Sequence, residues 1–418
     1  MIIGIKDKLT GETCYVARAY PSASGKTNTA AMAVPRSLEH RFEVTFLGDD
    51  IAWMYIGGDD RLYGMNPEFG VFGVAIDTRR DTAPNLMDAV GPGTGTIWTN
   101  VAFNHKTRHI WYEGMGKDWP DDLDDWVDYT GKPITDRSVE EQRSEDHPWG
   151  HPNSRFTTPL VRRVNGEEIK NVPNLDDDWN NPRGVPISLI LFGGRVPSRE
   201  PLMRLLETPE DGVYDGFVMG VVKTAAVEGA AGQFGPDPMT MGAFFGPAEV
   251  PYIQNWLDMM GQMGDKAPAF AHINYFLRWS AFESQLDRLD LREAHENRKS
   301  PFLWPGYGWN VLEILWAVRA HEGRARTKDS PMGPIAEDFL NFEDWLDLIP
   351  EEAHAVRQEL AGRGVTREVV NALFHFDTEA WQAEAARRSE FLKDFPEMPA
   401  AFKAAHARFL ERSLLPPA

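Results

Sequence analysis

A run of small residues followed by a lysine and a threonine lies near the start of the chain. Small side chains let consecutive backbone N–H groups turn toward one anion, a lysine adds a mobile positive charge, and a threonine hydroxyl can reach a divalent metal. Tyr20 occupies the position of the first glycine of a standard phosphate loop, so this segment alone fits either a phosphate loop or an ordinary turn. The candidate loop consists of Ser22, Ala23, Ser24, Gly25, Lys26, Thr27 and Asn28.

Two adjacent acids follow the next predicted strand. Residues 42–46 alternate apolar and polar side chains, and Asp49 and Asp50 come directly after them. A nucleotide-binding α/β protein places its metal carboxylates at such a strand end. An isolated acidic turn would have the same composition, but the lysine-containing loop about twenty residues upstream favours the metal site.

The composition limits the classes of protein that fit. The chain has 418 residues, 42% hydrophobic and 25% charged, which is typical of a globular protein of two or three domains. Its formal net charge is −20, from 63 acidic and 43 basic residues. This excess repels nucleic-acid phosphates and anionic membrane surfaces, so neither is an expected partner.

The location predicted from the sequence is the cytoplasm. No apolar run has the length needed to span a bilayer, and the first residues lack the pattern of a signal peptide. Cys14 is the only cysteine, so no internal disulfide can form.

Apolar periodicity predicts the elements that position these motifs. Residues 116–180 are acidic and are expected to be irregular loops, and the small residues at 224–235 fit either a mobile lid or a flexible connector. A short helix should begin near Thr27 and end before Pro35. We expect strands at 2–6, 14–17, 71–76 and 187–192, and helices at 311–321, 351–360 and 379–391, the last capped by Asp377.

An ordered set of short motifs runs over residues 1 to about 320. It includes Pro-Ser-Ala-Ser-Gly-Lys-Thr-Asn at 21–28, Gly-Asp-Asp at 48–50, Trp-Thr-Asn at 98–100, His-Pro-Asn-Ser-Arg-Phe at 151–156, Phe-Gly-Gly-Arg at 192–195, Phe-Phe-Gly at 244–246 and Phe-Leu-Trp-Pro-Gly-Tyr-Gly at 302–308. This set resembles the GTP-dependent phosphoenolpyruvate carboxykinases. The resemblance implies a mixed α/β fold, with a P-loop core over residues 1–325, a lid near 224–235 and a helical segment over 326–418.

The resemblance implies roles at the phosphate and metal positions. Lys26 would contact the phosphates of GTP or GDP, and Thr27 the Mg²⁺ that accompanies the nucleotide. Asp49 and Asp50 match the metal-binding acids, with Asp50 on a catalytic Mn²⁺.

The resemblance also implies substrate and base contacts. Asn153 and Arg155 match residues that hold nucleotide phosphate and substrate, and Arg195 matches the arginine that reaches the transferred phosphoryl group. The residues that match the guanine pocket are Tyr275, Phe276, Phe302, Tyr307 and Asn310.

The chain departs from the family pattern in several places. The family's N-terminal third, with further substrate and Mn²⁺ ligands, has no counterpart before Met1. Ser24 replaces the reactive cysteine of the loop, and Val196 replaces a second arginine. An insertion at about 277–300 is expected to form an exposed helical excursion.

These features leave three functions open. The first is conversion of oxaloacetate and GTP to phosphoenolpyruvate, GDP and CO₂ by an incomplete chain of an ordinary carboxykinase. The second is a GTP-dependent kinase for another small molecule, carried out by a short divergent homologue. The third is a nucleotide-binding protein without catalysis. The oligomeric state is not predicted.

Overall fold

The fold is mixed α/β, as the sequence predicts. The structure, a computed structural model, describes residues 1–21, 24–75, 78–112, 115, 122–134, 149–196, 200–223, 232–242 and 245–414. The strands in these ranges are β1 (Ile2–Asp7), β2 (Thr13–Ala19), β3 (Phe42–Gly48), β4 (Trp53–Ile56), β5 (Leu62–Met65), β6 (Gly70–Val74), β7 (Ile97–Thr99), β8 (Ala102–Asn104), β9 (Ile110–Trp111), β10 (Trp126–Val127), β11 (Arg155–Pro159), β12 (Val161–Val164), β13 (Glu167–Lys170), β14 (Val185–Gly193), β15 (Met203–Leu206), β16 (Gly220–Val222), β17 (Phe234–Pro236), β18 (Ala269–Ile273), β19 (Thr327–Lys328) and β20 (Ile335–Ala336).

Helices become dominant after residue 305, as expected. Asp377 Oδ1 accepts a hydrogen bond from the Ala380 backbone N–H at 2.9 Å, which confirms the predicted cap. The helices of the described ranges are α1 (Lys26–Ala30), α2 (Pro84–Ala89), α3 (Pro209–Val218), α4 (Glu249–Met263), α5 (Arg292–Glu296), α6 (Asn310–His321), α7 (Phe342–Trp345), α8 (Pro350–Gly362), α9 (Arg367–Leu373), α10 (Thr378–Phe391) and α11 (Ala400–Ser413).

The largest described sheet determines which loops meet. Its main path runs β15-β18-β14-β2-β1-β3, and β4 and β5 extend it from β14. Strand β14 is parallel to both β2 and β18, and β1 is antiparallel to both β2 and β3. Therefore β2, β3, β14 and β18 run in the same direction. Their carboxyl ends lie at one edge of the sheet, where an open α/β sheet places its ligands.

Both faces of this sheet are buried. Leu189 and Leu191 of β14 belong to one hydrophobic cluster, and Ile190 and Phe192 belong to a second cluster on the other face. Successive side chains of a strand point to opposite faces, so a continuous apolar run is what a doubly covered strand requires. The two clusters also contain residues from beyond position 325, such as Phe342 and Phe402, so the C-terminal helices pack onto the core.

One expectation about loops was wrong, because strands β10 to β13 lie within residues 116–180 and β11 forms the centre of a three-stranded sheet between β6 and β7. The insertion at 277–300 contains α5 and is mostly exposed, as expected, although Trp279, Leu286 and Leu291 are buried in the first hydrophobic cluster. Most of the predicted lid, residues 224–231, lies outside the described residues.

Across the described ranges, each helix is too short or too polar to cross a lipid bilayer.

Candidate functional site

The candidate phosphate loop connects β2 to α1. Gly25 precedes the helix with φ 78° and ψ 21°, a left-handed conformation that glycine adopts without steric cost. Lys26 and Thr27 form the first turn of α1, and Asn28 follows them half-buried. Ser22 and Ala23 are outside the described residues, so their predicted contacts stay predictions. The described part of the loop is therefore residues 24–28, and Ser24 is buried.

The structure brings the loop and the acid pair together. Lys26 Nζ lies 2.5 Å from Asp50 Oδ1, and Thr27 Oγ1 donates a hydrogen bond to Asp49 Oδ2 at 2.7 Å. These contacts follow from the sheet, since β2 and β3 flank β1 and end at the same edge. The two motifs therefore form one polar cluster, although more than twenty residues separate them.

The two acids have different environments. Asp49 is 2% exposed, and burial raises its pKa to about 6, against the opposing effects of the Thr27 hydrogen bond and the Lys26 charge. The Asp50 side chain is 54% exposed and is paired with the ammonium group of Lys26. A buried carboxylate with an elevated pKa next to a lysine is typical of a functional site.

The donor atoms fit one of the two predicted metals better than the other. Magnesium takes one or two protein oxygens and completes its shell with waters and phosphates, so Thr27 and Asp49 fit a Mg²⁺ that arrives with a nucleotide. Within the part of the chain that the structure describes, there is no group of three or more His, Cys, Asp or Glu side chains that could hold a metal. These residues do not by themselves complete the predicted Mn²⁺ site at Asp50.

Arg195 follows β14 at the same edge of the sheet. Its guanidinium carbon lies 5.4 Å from the centre of the Phe276 ring. Burial, with a smaller contribution from the charge of Arg278, lowers the pKa of Arg195. A partly desolvated cation next to an aromatic face can attract an anion strongly, because little water screens its charge.

Asn153 and Arg155 lie on a different sheet. Arg155 begins β11, and its Nε donates to Asn153 Oδ1 at 2.8 Å. The Asn153 carbonyl accepts from Asn100 Nδ2 at 3.1 Å, and the Arg155 guanidinium lies 5.4 Å from the Phe72 ring centre. The structure therefore holds these two predicted residues as a pair.

The predicted base pocket is partly formed. Phe276 and Phe302 are half-buried, and their ring centres are 5.7 Å apart at an interplanar angle of 79°. Tyr307 is 40% exposed with φ 52°. These three rings have accessible surface that a planar base could contact.

The other two predicted pocket residues point into the protein. Tyr275 is 7% exposed, and its hydroxyl accepts a hydrogen bond from Arg18 at 2.6 Å. Asn310 is 4% exposed, and its Oδ1 accepts from the indole N–H of Trp304 at 3.1 Å. In this conformation neither side chain is exposed to a ligand.

Sequence reasoning missed Arg18. This residue is 3% exposed near the end of β2, where its neighbours Ala17 and Ala19 are small and apolar. Its guanidinium carbon lies 4.5 Å from the Tyr20 ring centre. Glu313, which is fully buried on α6, is another charged residue that was missed. An arginine inside an apolar strand and a glutamate inside an apolar helix were the available signals.

Fold and site together define a nucleotide-binding α/β core of the phosphoenolpyruvate carboxykinase type. The sequence profile described as the phosphoenolpyruvate carboxykinase C-terminal P-loop domain matches residues 1–412. The chain belongs to this family, which confirms the resemblance inferred from the motifs.

Curated relatives named phosphoenolpyruvate carboxykinase (GTP) match nearly the whole chain. The protein from Anaeromyxobacter dehalogenans strain 2CP-1 is 36% identical over 393 residues, 94% of this chain and 56% of the relative. The Chlamydia pneumoniae protein is 33% identical over 396 residues, 94% of this chain and 56% of the relative. The Renibacterium salmoninarum protein is 34% identical over 386 residues, 92% of this chain and 54% of the relative. The chain spans about half the length of these relatives.

Proposed function

We propose that this chain binds GTP at the Lys26 loop and uses it in the carboxykinase reaction, which converts oxaloacetate and GTP to phosphoenolpyruvate, GDP and CO₂. The observation that carries the proposal is the convergence of Lys26 and Thr27 on Asp50 and Asp49 at 2.5 and 2.7 Å. The names of the relatives support the choice of GTP and of the substrate.

The reaction requires charge neutralisation more than covalent chemistry. Loss of CO₂ from oxaloacetate leaves an enolate, whose oxygen attacks the γ-phosphorus of GTP while GDP departs with the electrons of the broken P–O bond. Lys26 would exchange its contact with Asp50 for the phosphates. Arg195 and Arg155 would offset the remaining negative charge. A divalent cation that enters with the nucleotide would neutralise further phosphate charge, and Thr27 and Asp49 are the groups that would hold it.

The remaining assignments are parts of the same proposal. Phe276, Phe302 and Tyr307 would contact guanine, and Asn153 would contact nucleotide phosphate. The lid would span 224–235, and its last two residues, Phe234 and Gly235, belong to β17. Residues 1–325 would form the catalytic core and 326–418 a helical segment. The single cysteine supports a cytoplasmic location, and the net charge of −20 argues against nucleic acid as a partner.

The test follows both products with the full chain. Oxaloacetate, GTP, Mg²⁺ and Mn²⁺ are supplied, and phosphoenolpyruvate and GDP are measured by ³¹P NMR. We expect Lys26→Ala to lower turnover by about 10²–10³-fold, the usual cost of removing one transition-state electrostatic contact. Lys403→Ala is the matched control, because that lysine is exposed on α11 and contacts the Pro396 carbonyl. If Lys26→Ala leaves turnover unchanged, the phosphate loop is not part of the active site.

A second candidate is a GTP-dependent kinase that acts on another acceptor without decarboxylation. Val196, which stands where the resemblance implies a second arginine, favours this candidate, because that position then supplies no positive charge. GTP consumption with another small-molecule acceptor, while oxaloacetate stays unchanged, would support this candidate. Tight GDP binding in calorimetry without any turnover would instead indicate a nucleotide-binding protein.

A further inference from the structure

A buried polar cluster lies behind the candidate nucleotide site. Arg18 Nη2 donates to the Tyr275 hydroxyl at 2.6 Å, and the Arg18 guanidinium carbon lies 4.5 Å from the Tyr20 ring centre and 5.5 Å from that of Tyr275. The two tyrosine rings are 6.0 Å apart and nearly perpendicular. Arg18 therefore lies close to two aromatic rings, one just after β2 and the other just after β18.

Both tyrosines lead directly into the predicted binding segments. Tyr20 follows β2 and immediately precedes the phosphate loop, and Tyr275 immediately precedes Phe276 of the base pocket. Phe276 in turn contacts Phe302 and lies under the Arg195 guanidinium. Arg18 thus contacts both the residue that precedes the phosphate loop and the residue that precedes Phe276.

Glu313 is a second buried ionisable group near Arg18. It is fully buried on α6, and its two carboxyl oxygens have no hydrogen-bond donor within the described ranges. Burial raises the pKa of Glu313 well above its usual range, while the nearby charge of Arg18 opposes that effect. Burying an arginine lowers the stability of the fold unless the charge is paired. A role that requires Arg18 at this position would explain why it is buried there.

We propose that Arg18 is a positioning residue that holds Tyr275, and through it Phe276, in the place where the base pocket contacts a nucleotide. This inference rests on the proposed function, because it assigns Arg18 to the base-dependent part of nucleotide binding. The contact of Lys26 with Asp50, where the phosphates would bind, does not involve the Tyr275 hydroxyl.

The experiment compares GDP, which carries a nucleobase, with pyrophosphate, which carries none. Isothermal titration calorimetry of the full 418-residue chain measures the affinities for GDP and for pyrophosphate, each with Mg²⁺. We expect Arg18→Met and Tyr275→Phe to weaken GDP binding about tenfold, on the order of one lost base stack, and to leave pyrophosphate affinity within about twofold. Arg18→Lys, which keeps a cation and a donor for the tyrosine hydroxyl, should recover part of the loss.

Arg41→Met is the matched control. Arg41 is a second buried arginine, paired with Asp7 at 2.9 Å, and Asp7 ends β1 at the opposite edge of the same sheet. This variant should lower stability and leave the ratio of the two affinities unchanged. Tyr275→Phe removes only a hydroxyl group, so it tests the inference even if Arg18→Met does not fold.

The outcomes separate this inference from the proposed function. Unchanged GDP affinity in Tyr275→Phe, or an equal loss for GDP and pyrophosphate, would overturn the role of Arg18 and leave the nucleotide site standing. An equal effect of Arg41→Met would overturn it as well. If the unaltered chain binds no GDP, the proposed function fails and the inference fails with it.

Discussion

Asp49 is the residue at which function and stability should oppose each other. It is 2% exposed, and burial raises its pKa from an ordinary value of 3.8 to about 6. The ionised form that a metal requires is therefore the form that the fold disfavours. Asp49→Asn keeps the shape of the side chain and an oxygen that can accept the Thr27 hydrogen bond, so it removes the charge alone.

The size of the effect follows from the shift in pKa. Between pH 3.8 and about 6 the folded state binds more protons than the unfolded state, so stability falls as the pH rises through this window. A shift of about two units corresponds to about 3 kcal/mol of lost stability once the group is fully ionised. At pH 5 only about half of that penalty is present. The variant should therefore exceed the unaltered chain in stability by about 1.5 kcal/mol at pH 5 and about 3 kcal/mol at pH 8.

Equilibrium unfolding in urea at pH 5, 6, 7 and 8 measures this difference. Asp258→Asn is the control, because its carboxylate is exposed on α4 and, among the described residues, accepts a side-chain hydrogen bond from the Gln254 amide at 2.8 Å. The same Asp49→Asn protein should bind Mg²⁺-GDP more weakly than the unaltered chain. A stability difference that is equal at all four pH values would refute the assignment of a raised pKa to this carboxyl.

Two further predictions concern the base pocket and the core. Phe302→Ala should weaken GDP binding by roughly 1–2 kcal/mol, the contribution of one stacked ring, and calorimetry that finds the same dissociation constant would place this ring in the core. Asp215→Asn should destabilise the fold by about 3–5 kcal/mol, because it breaks a buried ion pair: Asp215 Oδ1 accepts from Arg204 at 2.6 Å and from Arg388 at 2.8 Å. Despite burial, these two charges hold the pKa of Asp215 well below its usual range. Urea unfolding checks the loss, and the exposed Lys170–Asp177 pair is the control, since Asp177→Asn should leave the midpoint unchanged; equal effects of the two variants would contradict the reasoning.

Several elements could be predicted because their signals are local. The alternation at 42–46 recurs as β3, whose residues are alternately buried and more exposed along that stretch, and the short helix after Gly25 ends at Ala30, before Pro35. The acid pair could be placed at a strand end for the same reason. The acid pair then contacts the loop because β2 and β3 both end at the same edge of the sheet.

Strand β11 shows why other elements were missed. It lies in a stretch that reads as polar loop, yet Arg155 pairs with Val74 on one side and Thr99 on the other. Those partners are more than fifty residues away in the sequence. A polar strand forms when its neighbours supply the hydrogen bonds, and periodicity within the strand does not reveal those neighbours.

The amino-acid sequence determined the predicted chemistry, because a run of small residues, a lysine and two adjacent acids keep their chemical properties wherever the chain places them. The tertiary structure decided which aromatic residues are buried and which stay accessible: Tyr275 and Phe276 are adjacent in sequence, yet Tyr275 is buried and hydrogen-bonded to an arginine 257 residues away, while Phe276 is half-buried against Phe302. Burial of a charge depends on distant groups that surround it, and only folding brings those groups together.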